Sequence, residues 1–357
     1  MTGRLHNLDY LRGLAASGIM IYHYLTWTFG RYQSEDFIGR VGVYGVSIFY
    51  VLSGLTLFYV YYDKMVPTLT DLRDFFIKRV FRIFPLLWLT TIGSIYFIVG
   101  EMPEMQKLIL NLTGLFGFVA WDQGIGIGVW SIGNELVFYV FFPVFVLLGK
   151  KSKLALLLLS LILLGIYIYF AFFLLDSSRA LGAEGQQKNY IHPLNQVFLF
   201  LSGFLIGYLF RKVNVPSAIN LFILVAGMLL FVFYPASDDP IHLVTRGGRI
   251  AFTLSCLMIC FGFYKLKFEL PNIIHRPLKL LGEASYSVYL LHPIMHFIAG
   301  LLIAYLSKHV IHLPESVRFI VAIFLTLITS YFVYTYFEKY FVKLGKKIGT
   351  LGISKNL

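Results

Sequence analysis

The first apolar stretch of the chain, residues 8–27, contains two side chains suited to acid–base or anion chemistry, Arg12 and His23. They are separated by almost three helical turns, so they lie on one face of a helix, about 16 Å apart along its axis. An arginine in hydrocarbon costs roughly 2.5–3.5 kcal/mol and nearly always faces a protein interior or an aqueous cavity. The spacing therefore predicts a polar passage. The alternative is that Arg12 anchors the helix at the cytoplasmic face and His23 is a core histidine bound to a backbone carbonyl.

A second basic group lies in the sequence FFIKRVFRIFPLLWL, residues 75–89. Arg79 and Arg82 are three positions apart and share a helix face at the predicted cytoplasmic entrance of a membrane span. Two guanidiniums on one face suit the phosphates of a nucleotide-bearing ligand, because arginine binds phosphate bidentately. Lys78 is placed to assist. The alternative is that this basic edge binds lipid headgroups.

A carboxylate lies in the sequence VWSIGNELVFYVFFP, residues 129–143. This places Glu135 about one and a half turns into the membrane from the outer side, where a carboxylate needs a partner. It either pairs with a basic group for packing alone, or lies in the polar passage and orients a histidine.

Hydroxyls and an imidazole are spaced three apart in GEASYSVYLLHPIMH, residues 282–296. Tyr286, Tyr289 and His292 form one stripe that can line a substrate path. Equally, they can satisfy neighbouring backbone groups in a crowded bundle. His292 and His296 have the spacing of a metal-binding pair, but Pro293 intervenes and no acidic residue lies between them, so we expect no metal.

The composition is that of an integral membrane protein, with 58% hydrophobic and 13% charged residues. The net charge of +12 does not indicate nucleic-acid binding, because the basic residues form short clusters beside apolar runs, as oriented membrane helices require. Cys256 and Cys260 lie one turn apart in an apolar run and are interpreted as core residues.

The apolar runs predict an all-α polytopic protein with about ten transmembrane helices in a single membrane domain, residues 1–357. A further run, 108–121, is too short to span and is predicted to be re-entrant or interfacial. With that arrangement most of the 30 Lys and Arg residues face the cytoplasm, together with both termini. The predicted spans are 8–29, 39–61, 80–99, 130–149, 154–175, 193–210, 217–234, 248–264, 279–306 and 317–341.

Taken together, the motifs resemble the membrane-bound acyltransferase family 3. The resemblance is carried in order by LDYLRG followed by His23, GVSIFYVLSG, RVFRIFPLLW, WSIGNELVFY and SYSVYLLH. It implies that Arg12 and His23 are catalytic and that the arginine motif binds acyl-CoA at the cytoplasmic face. Trp130 and Glu135 match a further family motif, and we expect Trp130, Tyr286, Tyr289 and His292 to line the substrate path.

The expected activity is acyl transfer, most simply of acetyl from acetyl-CoA, to a hydroxyl of an exopolysaccharide, O-antigen or other envelope glycan. His23 would be the general base or form an acyl-histidine, Glu135 would orient its ring, and Arg12 would stabilise negative charge. The expected location is the inner (plasma) membrane, in contact with the lipid bilayer. Some family members carry a fused extracytoplasmic hydrolase-like domain; we expect none in this chain, which argues against a peptidoglycan acetyltransferase of the fused type. The alternative function is a proton-coupled saccharide transporter or flippase.

Overall fold

The computed structural model describes residues 6–30, 35–66, 68–176, 185–236, 239–267, 270–310 and 312–351. Those residues form helices joined by short turns, with no strand among them. The helices are α1 His6–Phe29, α2 Phe37–Tyr61, α3 Leu69–Ser94, α4 Met105–Thr113, α5 Phe116–Val119, α6 Val129–Lys151, α7 Lys153–Tyr169, α8 Gln187–Tyr190, α9 Pro193–Phe210, α10 Ser217–Phe233, α11 Ile241–Val244, α12 Arg246–Lys265, α13 Asn272–Glu283, α14 Ser285–His309, α15 Glu315–Phe332 and α16 Lys339–Leu351. Short π-helical segments, Ile95–Val99, Phe170–Leu174 and Val333–Glu338, continue α3, α7 and α15.

Eight helical segments of the described chain are long and apolar enough to cross a bilayer, and they correspond to eight of the predicted runs. The other two runs are also helical. Helix α1 has 24 residues but carries His6, Asp9 and Arg12 in its first two turns. Helix α10 has only 17 residues and is about 26 Å long, somewhat less than the hydrocarbon thickness of about 30 Å. The multi-pass, all-helical class is thus confirmed, while the count of ten and the cytoplasmic termini remain predictions.

The short run 108–121 does not form a spanning helix. It is divided between α4 and α5, and the nine residues of α4 extend only about 14 Å. The fully buried Asn111 fastens this segment to the following loop: its amide donates to the Gln123 carbonyl (2.9 Å), and its side-chain oxygen accepts from Ile125 N–H (2.8 Å). A side chain that binds two backbone groups of a loop stabilises a chain that folds back.

Two predicted boundaries differ from the structure. Helix α3 begins at Leu69 and not at 80, because Thr68 caps it by accepting a hydrogen bond from Asp71 N–H at 3.2 Å. The predicted run 279–306 is divided, since Ala284 leaves helical dihedral angles (φ −88, ψ 4) and separates α13 from α14. The sequence is apolar on both sides of Ala284, so composition alone did not predict this break.

The chain divides into two compact units. The first unit consists of Met1–Tyr22, Tyr32–Met65 and Val140–Glu283, and the second of His23–Arg31, Val66–Tyr139 and Ala284–Leu357. The chain of α1 passes from the first unit into the second at His23, and that of α6 passes from the second into the first at Val140.

The first unit is built on a close contact between α2 and α9. A Cβ at Gly203 would lie 1.9 Å from the Val51 carbonyl oxygen, and one at Gly54 would lie 1.9 Å from the Phe200 carbonyl oxygen. Only glycine allows two helix backbones to approach so closely, which is the usual packing device of membrane helices. Cys256 and Cys260 are fully buried in the same unit, so their prediction as core residues is confirmed.

The close contact makes a prediction about stability. Gly203→Ala should lower the thermal unfolding midpoint of the purified protein, because a methyl group forced against the Val51 carbonyl costs at least about 1–3 kcal/mol. The matched control is Gly165→Ala in α7, where an added Cβ meets no atom within 4 Å. The control should unfold at the wild-type midpoint or slightly above it. Equal midpoints for the two variants would contradict the packing argument.

The second unit packs α14 against α3 and α15, and α16 against α3. Its apolar core is formed by Leu291, Ile294 and Met295, which face aromatic and aliphatic side chains such as Phe97 and Leu325. This core holds α14 in a fixed rotation, and the polar stripe of that helix is therefore held as well.

Candidate active site

Two histidines from opposite ends of the chain meet in the second unit. His23, on the last turns of α1, has its Nδ1 2.8 Å from Nε2 of His292 on α14, and the two rings are almost parallel. His292 is fully buried, whereas His23 keeps part of its surface exposed. The arrangement places a partly accessible imidazole in front of a buried one that touches it.

The buried histidine is held from two sides. Its Nδ1 lies 2.7 Å from the backbone oxygen of Tyr289, and its own carbonyl accepts a hydrogen bond of 2.7 Å from the Tyr24 hydroxyl. Trp27 stacks on His23 with ring centroids 4.9 Å apart and lies parallel to His292 at 5.9 Å. Contacts of this kind fix the orientation of both imidazoles before any ligand arrives.

A third histidine, His296, lies on the same face of α14 and makes two further contacts. His296 lies one turn after His292, with Nε2 at 3.2 Å from the Thr28 hydroxyl and Nδ1 at 3.4 Å from Nη2 of Arg318. Sequence reasoning did not identify Tyr24, Trp27, Thr28 or Arg318. The spacing of four between His23 and Trp27, and between His292 and His296, was a signal that the rings continue along one face.

Tyr289 connects α14 to the first turn of α6. Its hydroxyl lies 2.8 Å from the Ser131 hydroxyl and donates to the Gly128 carbonyl at 3.0 Å. Gly128 has φ +79, and a Cβ there would lie 2.9 Å from the Tyr289 oxygen, so glycine satisfies both the backbone conformation and the space. Trp130, half-buried, is the neighbour of Ser131 at the start of α6.

Glu135 and Arg79 meet around one tyrosine. The Tyr139 hydroxyl, one turn further along α6, donates to Glu135 Oε1, and the Arg79 guanidinium lies over the Tyr139 ring at 5.7 Å. Arg79 also lies 5.8 Å from the Phe75 ring. The carboxylate and the first arginine of the basic pair therefore belong to the same cluster, and the role of Glu135 toward the His23 ring stays a prediction.

The second arginine of the pair lies near a carboxylate that the sequence analysis did not identify. Arg82 interacts electrostatically with Glu338, which is 5% exposed and accepts a hydrogen bond from the Ser287 hydroxyl. Glu338 is the last residue of the π-helical segment after α15, and such segments occur often at functional sites. Tyr286 donates to the Ile83 carbonyl at 2.9 Å, as expected of a tyrosine that satisfies backbone.

Lys78 and Arg12, which the sequence analysis also proposed for the site, have partners other than the residues described above. Lys78 forms an ion pair with Asp74 at 2.7 Å, one turn earlier on α3. Arg12 belongs to the first unit, in which its guanidinium donates to the Thr56 hydroxyl at 3.3 Å. The other residues that the sequence analysis proposed for the site all lie in the second unit, so the parts of α1, α3, α6 and α14 that belong to that unit carry both the imidazole pair and the basic pair.

Comparisons with known proteins extend over most of the chain. A family model described as an acyltransferase domain, acyltransferase 3, matches residues 5–335. The peptidoglycan O-acetyltransferase OatA of Listeria monocytogenes is 23% identical over 315 residues, which are 80% of this chain and 48% of that protein. The O-acetyltransferase OatA of Staphylococcus aureus is 24% identical over 327 residues, 82% of this chain and 51% of that protein. The chain thus spans about half the length of these relatives. No solved structure matches it.

Proposed function

Because this chain belongs to the membrane-bound acyltransferase family 3, we propose that it transfers an acyl group, acetyl in the simplest case, from a cytoplasmic acyl-CoA to a hydroxyl of an envelope glycan. The observation that carries the proposal is the contact between His23 and His292, a partly exposed imidazole held by a buried one. Imidazole is the side chain best suited to take and return a proton near neutral pH.

In the proposed reaction His23 removes the proton of the acceptor hydroxyl while the oxygen attacks the thioester carbonyl. A carbon–oxygen bond forms, the carbon–sulfur bond breaks, and the imidazolium returns its proton to the sulfur of CoA. Tyr289 and Trp130 line the acceptor path, and Glu135 and Arg12 support the charge that develops. The same residues serve an acyl-histidine route, in which His23 itself carries the acyl group between the two substrates.

The donor end of the proposed site is the basic pair on α3. Arg79 and Arg82 would bind the phosphates of acyl-CoA, with Lys78 beside them. The contact of Arg79 with the Tyr139 ring supports this assignment, since it holds that guanidinium in place before the ligand arrives, and Arg82 interacts electrostatically with Glu338. The phosphates must then compete with Glu338 for Arg82 and with Asp74 for Lys78.

The acceptor is proposed from the relatives. Two of them are named O-acetyltransferases, one specifically of peptidoglycan, and a glycan of the cell envelope is the acceptor class consistent with both. Within that class, cell-wall glycan, exopolysaccharide and O-antigen offer the same chemistry, an accessible sugar hydroxyl.

Release of CoA tests the proposal. Purified protein in detergent, supplied with acetyl-CoA and an oligosaccharide acceptor, should release free CoA thiol in proportion to acetylated glycan measured by mass spectrometry. A transporter has no barrier to work across in detergent and would release none. Acetylation of the sugar without protein-dependent thiol release would contradict a CoA donor.

The orientation of the chain is part of the proposal, because the donor site must face the cytoplasm. Single cysteines at Ser152 and Gly185, which lie before and after α7, should be reached by a membrane-impermeant thiol reagent from opposite sides of the membrane. Labelling of both from outside would place the basic clusters, and the donor site with them, on the wrong side.

A further inference from the structure

A proline inside α14 determines which nitrogen of His292 carries its hydrogen. Pro293 has no N–H, so the carbonyl of Tyr289, four residues earlier, loses the donor that an uninterrupted helix would supply. His292 Nδ1 lies 2.7 Å from that oxygen. A carbonyl can only accept, so Nδ1 must carry a hydrogen and donate it.

The tautomer of His292 determines the tautomer of His23. His292 is fully buried, and a buried charge requires a charged partner, so the ring is neutral and its Nε2 is an acceptor. The Nδ1 of His23, 2.8 Å away, must then be the donor of that hydrogen bond. His23 is therefore held as the tautomer with hydrogen on Nδ1, and its basic lone pair is on Nε2.

We propose that His292 is a positioning residue that fixes the tautomer and orientation of His23 and stabilises its charged form, and that it does so without touching either substrate. This inference rests on the proposed function, in which His23 is the base. The acceptor proton goes to His23 Nε2, the hydrogen on Nδ1 stays in place and binds His292 more strongly, and the proton on Nε2 then leaves with the CoA sulfur. His292 does for His23 what a carboxylate does for the base in a serine-hydrolase triad.

Burial supports a role through His23 and not a direct contact with substrate. His292 is 0% exposed, and Tyr24, Trp27 and Tyr289 lie around it. The partly exposed His23 is the member of the pair that a substrate can reach.

Among the described residues, the other titratable groups in contact with His292 are Tyr24 and Tyr289, and His296 with its partner Arg318 lies one turn further along α14. Arginine only donates, so His296 Nδ1 accepts from Arg318 and its Nε2 donates to the Thr28 hydroxyl. His296 is thereby also neutral. A shift in the pH profile on changing His292 is then attributable to His23.

Two amides that differ only in length provide the test. In His292→Gln the side-chain oxygen reaches the position of Nε2 and restores an acceptor for His23. In His292→Asn the oxygen reaches only the position of Nδ1. His292→Asn should lose roughly 100-fold in kcat, within the range that a positioned general base contributes, with KM for both substrates within about twofold of wild type. The acid limb of its kcat–pH profile should move toward lower pH. His292→Gln should recover most of the rate and the wild-type limb.

Controls separate this role from general damage and from failure of the proposed function. Asn220→Leu removes a different buried polar side chain, whose amide donates to the Gly262 carbonyl in the first unit, and should leave the acid limb in place. Thermal midpoints identify any variant that does not fold. Equal rates and profiles for wild type and His292→Asn, equal losses in the Asn and Gln variants with normal midpoints, or a rise in acceptor KM at unchanged kcat would each overturn the positioning role. A wild-type protein that releases no CoA thiol would instead reject the proposed function.

Discussion

Acyl transfer by the His23→Ala variant is expected to fall by at least about 10²–10⁴-fold, the share of the rate that a positioned general base supplies. The loss should be in kcat, and the affinity for acyl-CoA should be almost unchanged, because the proposed phosphate contacts are made by α3 and not by the imidazole. Thiol release measures the rate, and calorimetry with acetyl-CoA measures the affinity.

The matched control for this variant is His312→Ala, which removes an exposed histidine from the turn before α15. Both variants should be purified in similar amount with similar thermal midpoints, since each removes a single side chain that is at least partly exposed. A His23→Ala protein that folds and still transfers acetyl at the rate of the control would remove the catalytic role of His23.

Acyl-CoA affinity is the second quantity on which we expect a large effect. Replacing Arg79 and Arg82 together with alanine should weaken binding by at least about 100-fold, because each charged hydrogen bond contributes roughly 1.5–3 kcal/mol and 1.4 kcal/mol is a factor of ten. Isothermal calorimetry with acetyl-CoA in detergent gives the affinity directly.

Two further variants make the donor-site result specific. Arg73→Ala removes an exposed arginine two turns earlier on the same helix and should bind acetyl-CoA as wild type does. Arg82→Lys keeps a positive charge near Glu338 but loses the planar fork, so it should fold normally and still bind more weakly. Wild-type affinity in the double alanine variant would favour the alternative in which the pair binds lipid headgroups.

Contacts within one helix could have been placed from the sequence. The pairs Glu135–Tyr139 and His23–Trp27 are four residues apart, and helical periodicity puts each pair on one face. The spacing of three in Tyr286, Tyr289 and His292 likewise predicted a polar stripe. The multi-pass helical class followed from composition, since helices that span a lipid bilayer are the usual way to keep so many apolar residues out of water.

Contacts between helices could not have been placed in the same way. The hydrogen bond between His23 and His292 joins residues 269 positions apart, and it depends on how α14 is rotated by the apolar core of the second unit. Glu338 could not be placed from the sequence because it lies at the end of a π-helical segment, which departs from the period of 3.6 residues on which face assignments rest. Pro293 was interpreted as an argument against metal binding, while its larger consequence is the carbonyl that it leaves for the His292 ring.

The complete burial of Cys256 and Cys260 in α12 has a practical consequence for enzymology. They are the only two thiols of the chain, and neither presents sulfur to a reagent while the protein is folded. Colorimetric detection of liberated coenzyme should therefore proceed with almost no background from the polypeptide. A slow rise in colour without coenzyme would report unfolding, so the same cuvette monitors both turnover and the integrity of the sample.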